Sequence, residues 1–282
     1  MLCRLRDIVD SFPYYQRRKR TGRPPVPERE VMICNLVRQV FNRTYECAVQ
    51  IVGILSRFFH MEKVPSAKTV AQKSATRRWR RLLRRFNAHV ASLAPRHDAI
   101  IATDATGFGN HMRAWNGTPH VVRALEPWVK LSAAVDVGSM MIASYHTSDS
   151  KEHDSTHFER VWKGIPSSFR PTDSLADKAY SSAKCADVAA MHGAMPYHGV
   201  KEWAVCVPEP EDAYQEMVLR YWCDRTSYQE ALSKRSLVET AFHMMKSSCG
   251  YRLRCRKWNA RVNEVQAKIA VHNIRMLVRN DW

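Results

Sequence analysis

Ala99-Ile100-Ile101-Ala102-Thr103-Asp104, continued by Ala105-Thr106-Gly107-Phe108-Gly109, is the stretch on which the fold turns. A short apolar run ends in a carboxylate, and a glycine-containing segment follows. It reads as a buried strand that presents Asp104 at its exit. Residues 128–137 and 140–146 read as two further strands, joined at Gly138-Ser139 as a hairpin, with Asp136 in the first. Asp173-Ser174-Leu175-Ala176-Asp177-Lys178-Ala179-Tyr180 is another short strand carrying an acid at its end. Helices are expected over 152–162 and 182–192, a strand near 195–200, and mostly helix over 208–232. Strands interleaved with helices give an α/β domain with a mixed sheet.

Downstream stands Arg235-Ser236-Leu237-Val238-Glu239-Thr240-Ala241-Phe242-His243-Met244-Met245-Lys246, free of Gly and Pro until Gly250. It reads as a helix with a glycine C-cap. Side chains three, four and seven apart share a face, so Arg235, Glu239, His243 and Lys246 form one polar stripe. Leu237, Val238, Ala241, Met244 and Met245 lie largely on the other side. A carboxylate among cations suits a metal ion beside a phosphate. The same stripe is also what an exposed helix with an Arg–Glu pair worth about 0.3–0.5 kcal/mol looks like. Two strand-end carboxylates plus one helical carboxylate supply the oxygen ligands that Mg²⁺ prefers. Two such ions about 3.5–4 Å apart activate the attacking oxygen and stabilise the leaving one in phosphodiester chemistry. A strand-end aspartate equally serves turns and helix caps.

Charge divides the chain. The net charge of +17 resolves into +15 over residues 1–97, −6 over 98–233 and +8 over 234–282. A basic front and tail imply a polyanionic partner, and an acidic middle suits metal carboxylates better than phosphate contact. Nucleic acid is the expected partner. Eight cysteines include no Cys-x-x-Cys pair, so buried free thiols in a reducing cytoplasm are expected rather than zinc or disulfides. Nothing resembles a secretory signal or a membrane-spanning helix, and there is no internal repeat.

The front half is helical. Arg17-Arg18-Lys19-Arg20-Thr21-Gly22-Arg23-Pro24-Pro25 is a basic run leading into a proline hinge, an arm that reaches a groove or backbone on a DNA binder. A helix over 28–42 follows. Thr44 caps a second helix, and Ser66 caps a short third one holding Lys68, Thr69, Gln72 and Lys73. The three resemble a helix-turn-helix unit. Trp79, Leu82, Leu83, Phe86, Val90 and Leu93 then recur at helical spacing, while Arg77, Arg78, Arg80, Arg81, Arg84 and Arg85 crowd the remaining surface. With no carboxylate nearby in sequence, those arginines call for a polyanion. Arg252, Arg254 and Arg256 alternate with apolar residues in a strand-like or extended arm, and a helix over 262–278 closes the chain.

Thr103-Asp104-Ala105-Thr106-Gly107, Ala176-Asp177-Lys178-Ala179-Tyr180 and Arg235-x3-Glu239-x6-Lys246 have the order and spacing that resemble a DDE transposase of bacterial and archaeal insertion sequences. Val135-Asp136-Val137, His153-Asp154-Ser155 and Asn263-Glu264-Val265 also look like that family, as do Gly22-Arg23-Pro24-Pro25 and Val64-Pro65-Ser66 at the front. The resemblance implies a prokaryotic, nucleoid-associated protein with an RNase H-like mixed sheet flanked by helices over 98–282. An all-α, DNA-binding region over 1–97 would precede it. It implies Asp104, Asp177 and Glu239 as the catalytic, metal-binding triad for Mg²⁺ or Mn²⁺. Arg235 and Lys246 would contact phosphate, with Lys68, Arg77, Arg78, Arg81, Arg84 and Arg85 as further DNA contacts. Double-stranded DNA, both element ends and target, is the implied partner, met by a homodimer. Cleavage would expose a 3′-hydroxyl that is transferred to target DNA. Leu232 stands where the family often carries Tyr, which leaves a stacking or phosphate role there open. Ala179 replaces the usual Gly, and the interval from Asp177 to Glu239 is too short for a large β-insertion. Two other readings stand beside this one: a transposase-derived DNA-binding protein without catalysis, and a metal-dependent nuclease of the same fold.

Overall fold

The computed structural model describes residues 1–15, 25–109, 128–149 and 151–282. The basic run expected to form an arm lies outside these residues except for Pro25. In chain order the elements are α1 (Leu2–Ser11), α2 (Glu28–Val40), α3 (Tyr45–Ile54), α4 (Ala67–Ser74) and α5 (Arg77–Ser92). Then come β1 (His97–Phe108), β2 (Val129–Asp136), β3 (Ile142–Ser148), α6 (Phe158–Trp162), β4 (Phe169–Ala176), α7 (Ala183–Met191) and β5 (Met195–His198). The chain ends with α8 (Ala213–Cys223), α9 (Arg225–Ser233), α10 (Leu237–Cys249) and α11 (Trp258–Arg279). Two compact units result. One holds residues 1–90 and 245–281, the other 91–109, 128–244 and Trp282.

The second unit is a mixed α/β unit around a five-stranded sheet in the order β3-β2-β1-β4-β5. β1 pairs antiparallel with β2, and β2 antiparallel with β3, whereas β4 runs parallel to β1 and β5 parallel to β4. This is consistent with an RNase H-like sheet. Every residue of β2 is buried, as a strand covered on both faces requires. The hairpin after it is held by Asp136, whose carboxylate accepts the Ser139 amide (3.0 Å) and hydroxyl (2.5 Å), while Met140 takes a positive φ of 61°. Phe158, Val161 and Trp162 of α6 are buried, and Trp162 Nε1 donates to Thr103 Oγ1 at 3.1 Å. On the β5 side, Val200, Ala204, Met217, Val218 and Tyr228 form a small core, and the Tyr228 hydroxyl donates to the His198 carbonyl at 2.6 Å.

The first unit is helical, and its core is α11, buried from Ala260 to Ile274. So long a buried helix brings polar side chains inside, and each needs a partner. Asn263 Nδ2 donates to the carbonyls of Ser74 (2.6 Å) and Thr76 (3.0 Å), tying α11 to the end of α4. Glu264 accepts the Arg254 and Cys255 amides and pairs with Arg38 of α2 at 3.3 Å. Lys268, fully buried, donates to the carbonyls of Cys249 and Gly250 at 2.6 and 2.7 Å and so satisfies the C-terminus of α10. Gly250 stops that helix at φ +88°, where a Cβ would lie 2.6 Å from Asn42 Nδ2.

Several elements differ from the sequence expectation. β1 runs from His97 to Phe108, longer than its apolar run, because its outer half pairs with β2 alone. The strand expected through Tyr180 stops at Ala176, since Asp177 caps a 3₁₀ turn over Lys178–Tyr180. The helix expected over 152–162 is a 3₁₀ turn, Asp154–His157, followed by α6. The segment of Arg252, Arg254 and Arg256, expected as a strand-like or extended arm, forms no strand, and Glu264 and Asn42 bind its backbone and the Arg254 side chain. α1 has no counterpart in the sequence reading, yet Leu5, Ile8 and Val9 are buried. α11 packs with α2 through the buried Arg38–Glu264 pair.

Candidate active site

Parallel pairing of β1 with β4 ends at Thr103 opposite Ala176. The next residue in each chain segment is an aspartate, so Asp104, still within β1, and Asp177, just past the end of β4, come together at the carboxyl end of the parallel pair. Their local partners differ. Asp104 Oδ1 accepts its neighbour's amide, Ala105 N, at 2.7 Å. Asp177 accepts the Ala179 amide at 2.8 Å as the cap of its 3₁₀ turn.

The third acid approaches from the helical side. Lys234–Ser236 forms a 3₁₀ turn, and α10 begins at Leu237 because Val238, Ala241 and Met245 bury one face. That leaves Glu239 exposed, with Arg235 one turn before it. The Arg235 guanidinium lies 3.3 Å from Asp104 Oδ2 and 3.7 Å from Glu239 Oε1. Burial, reinforced by the charges of Asp177 and Glu239, pushes the Asp104 carboxyl up to about 6, against the pull of the Ala105 amide and Arg235. Among the described residues, no three acids, histidines or cysteines are gathered closely enough to hold a metal ion as they stand. Lys246 sits in the last turn of α10, and His243 is exposed.

The other acids quoted from the sequence have structural duties. Asp136 is 1% exposed and is consumed by the hairpin and by His97, whose Nε2 lies 3.1 Å away. Asp154 is ion-paired with Lys130. Tyr180 is a residue the sequence reading quoted without assigning it a part. It is buried beside these acids, and its hydroxyl has no hydrogen-bond partner among the described residues. Its phenol is held well above the usual range by burial and by Asp154, Asp104 and Asp177. A cavity of about 520 Å³, also unforeseen, opens next to Asp177 and Arg235, lined further by Lys201, Tyr221, Trp222 and Arg225. Its cations come from an acidic stretch, so net charge hid them.

The six arginines of α5 divide. The expectation that no carboxylate meets them is corrected by Arg78, 2.5 Å from Glu28 Oε1, an acid that folding brings over from α2. Arg80 donates to Asn259 at 2.7 Å. Arg85 donates to the Pro13 carbonyl and lies 4.0 Å above the Tyr15 ring. Arg77, Arg81 and Arg84 are exposed, as is Lys68 on α4. Trp79, Leu82, Leu83, Phe86 and Val90 are buried, as their spacing requires.

No helix among the described residues is long and apolar enough to cross a membrane. Comparison with curated proteins and with solved structures gives no match. The family described as "Transposase DDE domain" matches residues 95–274, well over half of the chain and the whole of the sheet that carries both aspartates. A transposase family implies a DNA substrate. By that match the chain belongs to the DDE-domain transposases.

Proposed function

We propose that this transposase binds insertion-sequence ends, cleaves a phosphodiester bond there and joins the 3′-hydroxyl to target DNA, with Asp104, Asp177 and Glu239 as its catalytic acids. The observation that carries the reading is the adjacency of Asp104 and Asp177, with the Asp104 carboxyl raised by burial and, to a lesser degree, by its acidic neighbours. Clustered carboxylates repel unless cations stand between them, and an all-oxygen donor set suits Mg²⁺ or Mn²⁺. The Arg235 guanidinium beside Asp104 and Glu239 supports the reading that these acids attract a cation, and their oxygen donors are of the kind that suits such an ion. When bound, the divalent ions would supply charge stabilisation for the attacking and leaving oxygens. Asp104 and Asp177 would hold them from the rigid sheet, and Glu239 would complete the set from α10. Arg235 and Lys246 would engage strand phosphate. The basic helical region, through Lys68 and the α5 arginines, would provide most of the affinity for duplex DNA. Incubating the purified chain with DNA from both flanks of its gene tests this. Nicking that requires Mg²⁺ or Mn²⁺ and leaves a 3′-hydroxyl supports the reading; metal-independent cleavage, or binding without cleavage, overturns it.

A further inference from the structure

Arg235 touches two of the proposed catalytic acids, on different elements, and it also borders the cavity beside the third. Its contacts of 3.3 Å to Asp104 and 3.7 Å to Glu239 are longer than the 2.7–2.9 Å of tight charge-assisted pairs. Its side chain is 27% exposed. The guanidinium is thus loosely held where a positive charge is required, since two carboxylates face it and one is largely buried. A guanidinium and a divalent cation compete for this place: both are drawn to the Asp104 and Glu239 carboxylates, and their like charges repel.

A displaced Arg235 has somewhere to go. The cavity that it lines holds Lys201 and Arg225, with Tyr221 and Trp222 as an aromatic wall. Tyr221 is fixed edge-on to both Trp222 and Tyr228, and the Arg225 guanidinium lies 5.4 Å from the Tyr221 ring. Cations beside aromatic faces are what a nucleic-acid strand uses, phosphate on the one and base on the other. Gly199 fixes the floor, because a Cβ there would lie 2.8 Å from the Lys178 backbone nitrogen.

We propose that Arg235 is an exchangeable counter-ion. In the free protein it neutralises Asp104 and Glu239, and loading of these acids with a divalent cation releases it into the cavity, where it joins Lys201 and Arg225 in gripping a DNA strand. The proposal rests on the reading of Asp104 and Glu239 as metal ligands. It makes the two binding events linked: the cation raises affinity for DNA, and DNA raises affinity for the cation by the same factor. Removing Arg235 therefore strengthens cation binding while abolishing its effect on DNA.

The test uses the full chain and two equilibrium readouts. Free Mn²⁺ is followed by electron paramagnetic resonance, and affinity for a fluorescent single strand is followed by anisotropy with and without Ca²⁺. Arg235→Gln, which keeps length but loses charge, is expected to bind Mn²⁺ roughly fivefold or more tightly than wild type. Its strand affinity should no longer respond to Ca²⁺. Arg235→Lys should restore weak Mn²⁺ binding, which a merely structural role would not achieve. Equal or weaker Mn²⁺ binding by Arg235→Gln overturns the exchange. Unchanged Mn²⁺ binding by Asp104→Asn and Glu239→Gln instead overturns the assignment of the ligands, and the exchange with it.

Discussion

Thr103 and Ala176 are the last residues paired between β1 and β4, and each is followed by an aspartate. The two acids nonetheless have different surroundings. Asp104 remains inside the sheet, because β1 runs on against β2, whereas Asp177 leaves its strand and caps a turn.

That difference makes Asp104 a source of pH dependence. Its carboxyl is raised from 3.8 to about 6, so the folded state holds a proton that the unfolded chain has lost. Stability from this group falls as pH rises from about 4 to about 6, and the full penalty, about 3 kcal/mol, persists above that. Asp104→Asn should therefore match wild type near pH 4 and exceed it near pH 7 in metal-free buffer. Denaturant unfolding across that range checks it; a constant difference between the two proteins would locate the effect elsewhere.

The positions of these acids at strand ends and on a polar helix stripe were legible in the sequence, for a local reason. A strand ending in an acid and a helix with a polar stripe are patterns of neighbouring residues, and Asp104, Asp177 and Glu239 each follow from one. Thr44 and Ser66 were legible as caps on the same ground, and both accept the expected amides. What was hidden depends on partners distant in the chain. Glu28 pairing with Arg78, Glu264 closing around residues 254 and 255, and Arg235 lying between two acids are products of folding. The cavity of Lys201, Tyr221 and Arg225 leaves no periodic trace, because loop and helix residues meet there by packing alone.

The Arg38–Glu264 pair should be costly to break. Both side chains are almost fully buried, and the carboxylate also accepts the Arg254 and Cys255 amides. Glu264→Ala strands a buried guanidinium and two amides, and should cost about 3–5 kcal/mol. Replacing Arg38 by Met as well removes the stranded charge but not the orphaned amides, so recovery should be partial. Urea midpoints of the two variants decide this, and equal midpoints would mean that the charge is not the cause.

DNA affinity should divide the α5 arginines as their contacts do. Arg77→Ala, Arg81→Ala and Arg84→Ala should each weaken DNA binding with little change in melting temperature. Each should also lower the slope of log K against log salt by about 0.9. Arg85→Ala should act mainly on stability, since that side chain holds the Pro13 carbonyl and the Tyr15 ring. Salt titrations of the four variants test the division; a slope unchanged in all of the first three would remove α5 from the DNA surface.

Asp177→Asn carries the most weight for the chemistry. The substitution keeps side-chain volume and leaves an oxygen that can still accept the Ala179 amide, so the 3₁₀ turn should survive. What is lost is a charged oxygen ligand at the end of β4. End-DNA affinity should be nearly unchanged, because it is attributed to the basic helical region, while metal-dependent cleavage should fall by orders of magnitude. Asp136 and Asp154 each already have partners. Asp136 is spent on its hairpin and Asp154 on Lys130, and freeing either would cost the fold a buried or half-buried interaction. Chelation of wild type with EDTA should give the same phenotype, bound but uncleaved DNA, with activity recovered on adding Mn²⁺. An Asp177→Asn protein that still cleaved at the wild-type rate would exclude Asp177 from the site.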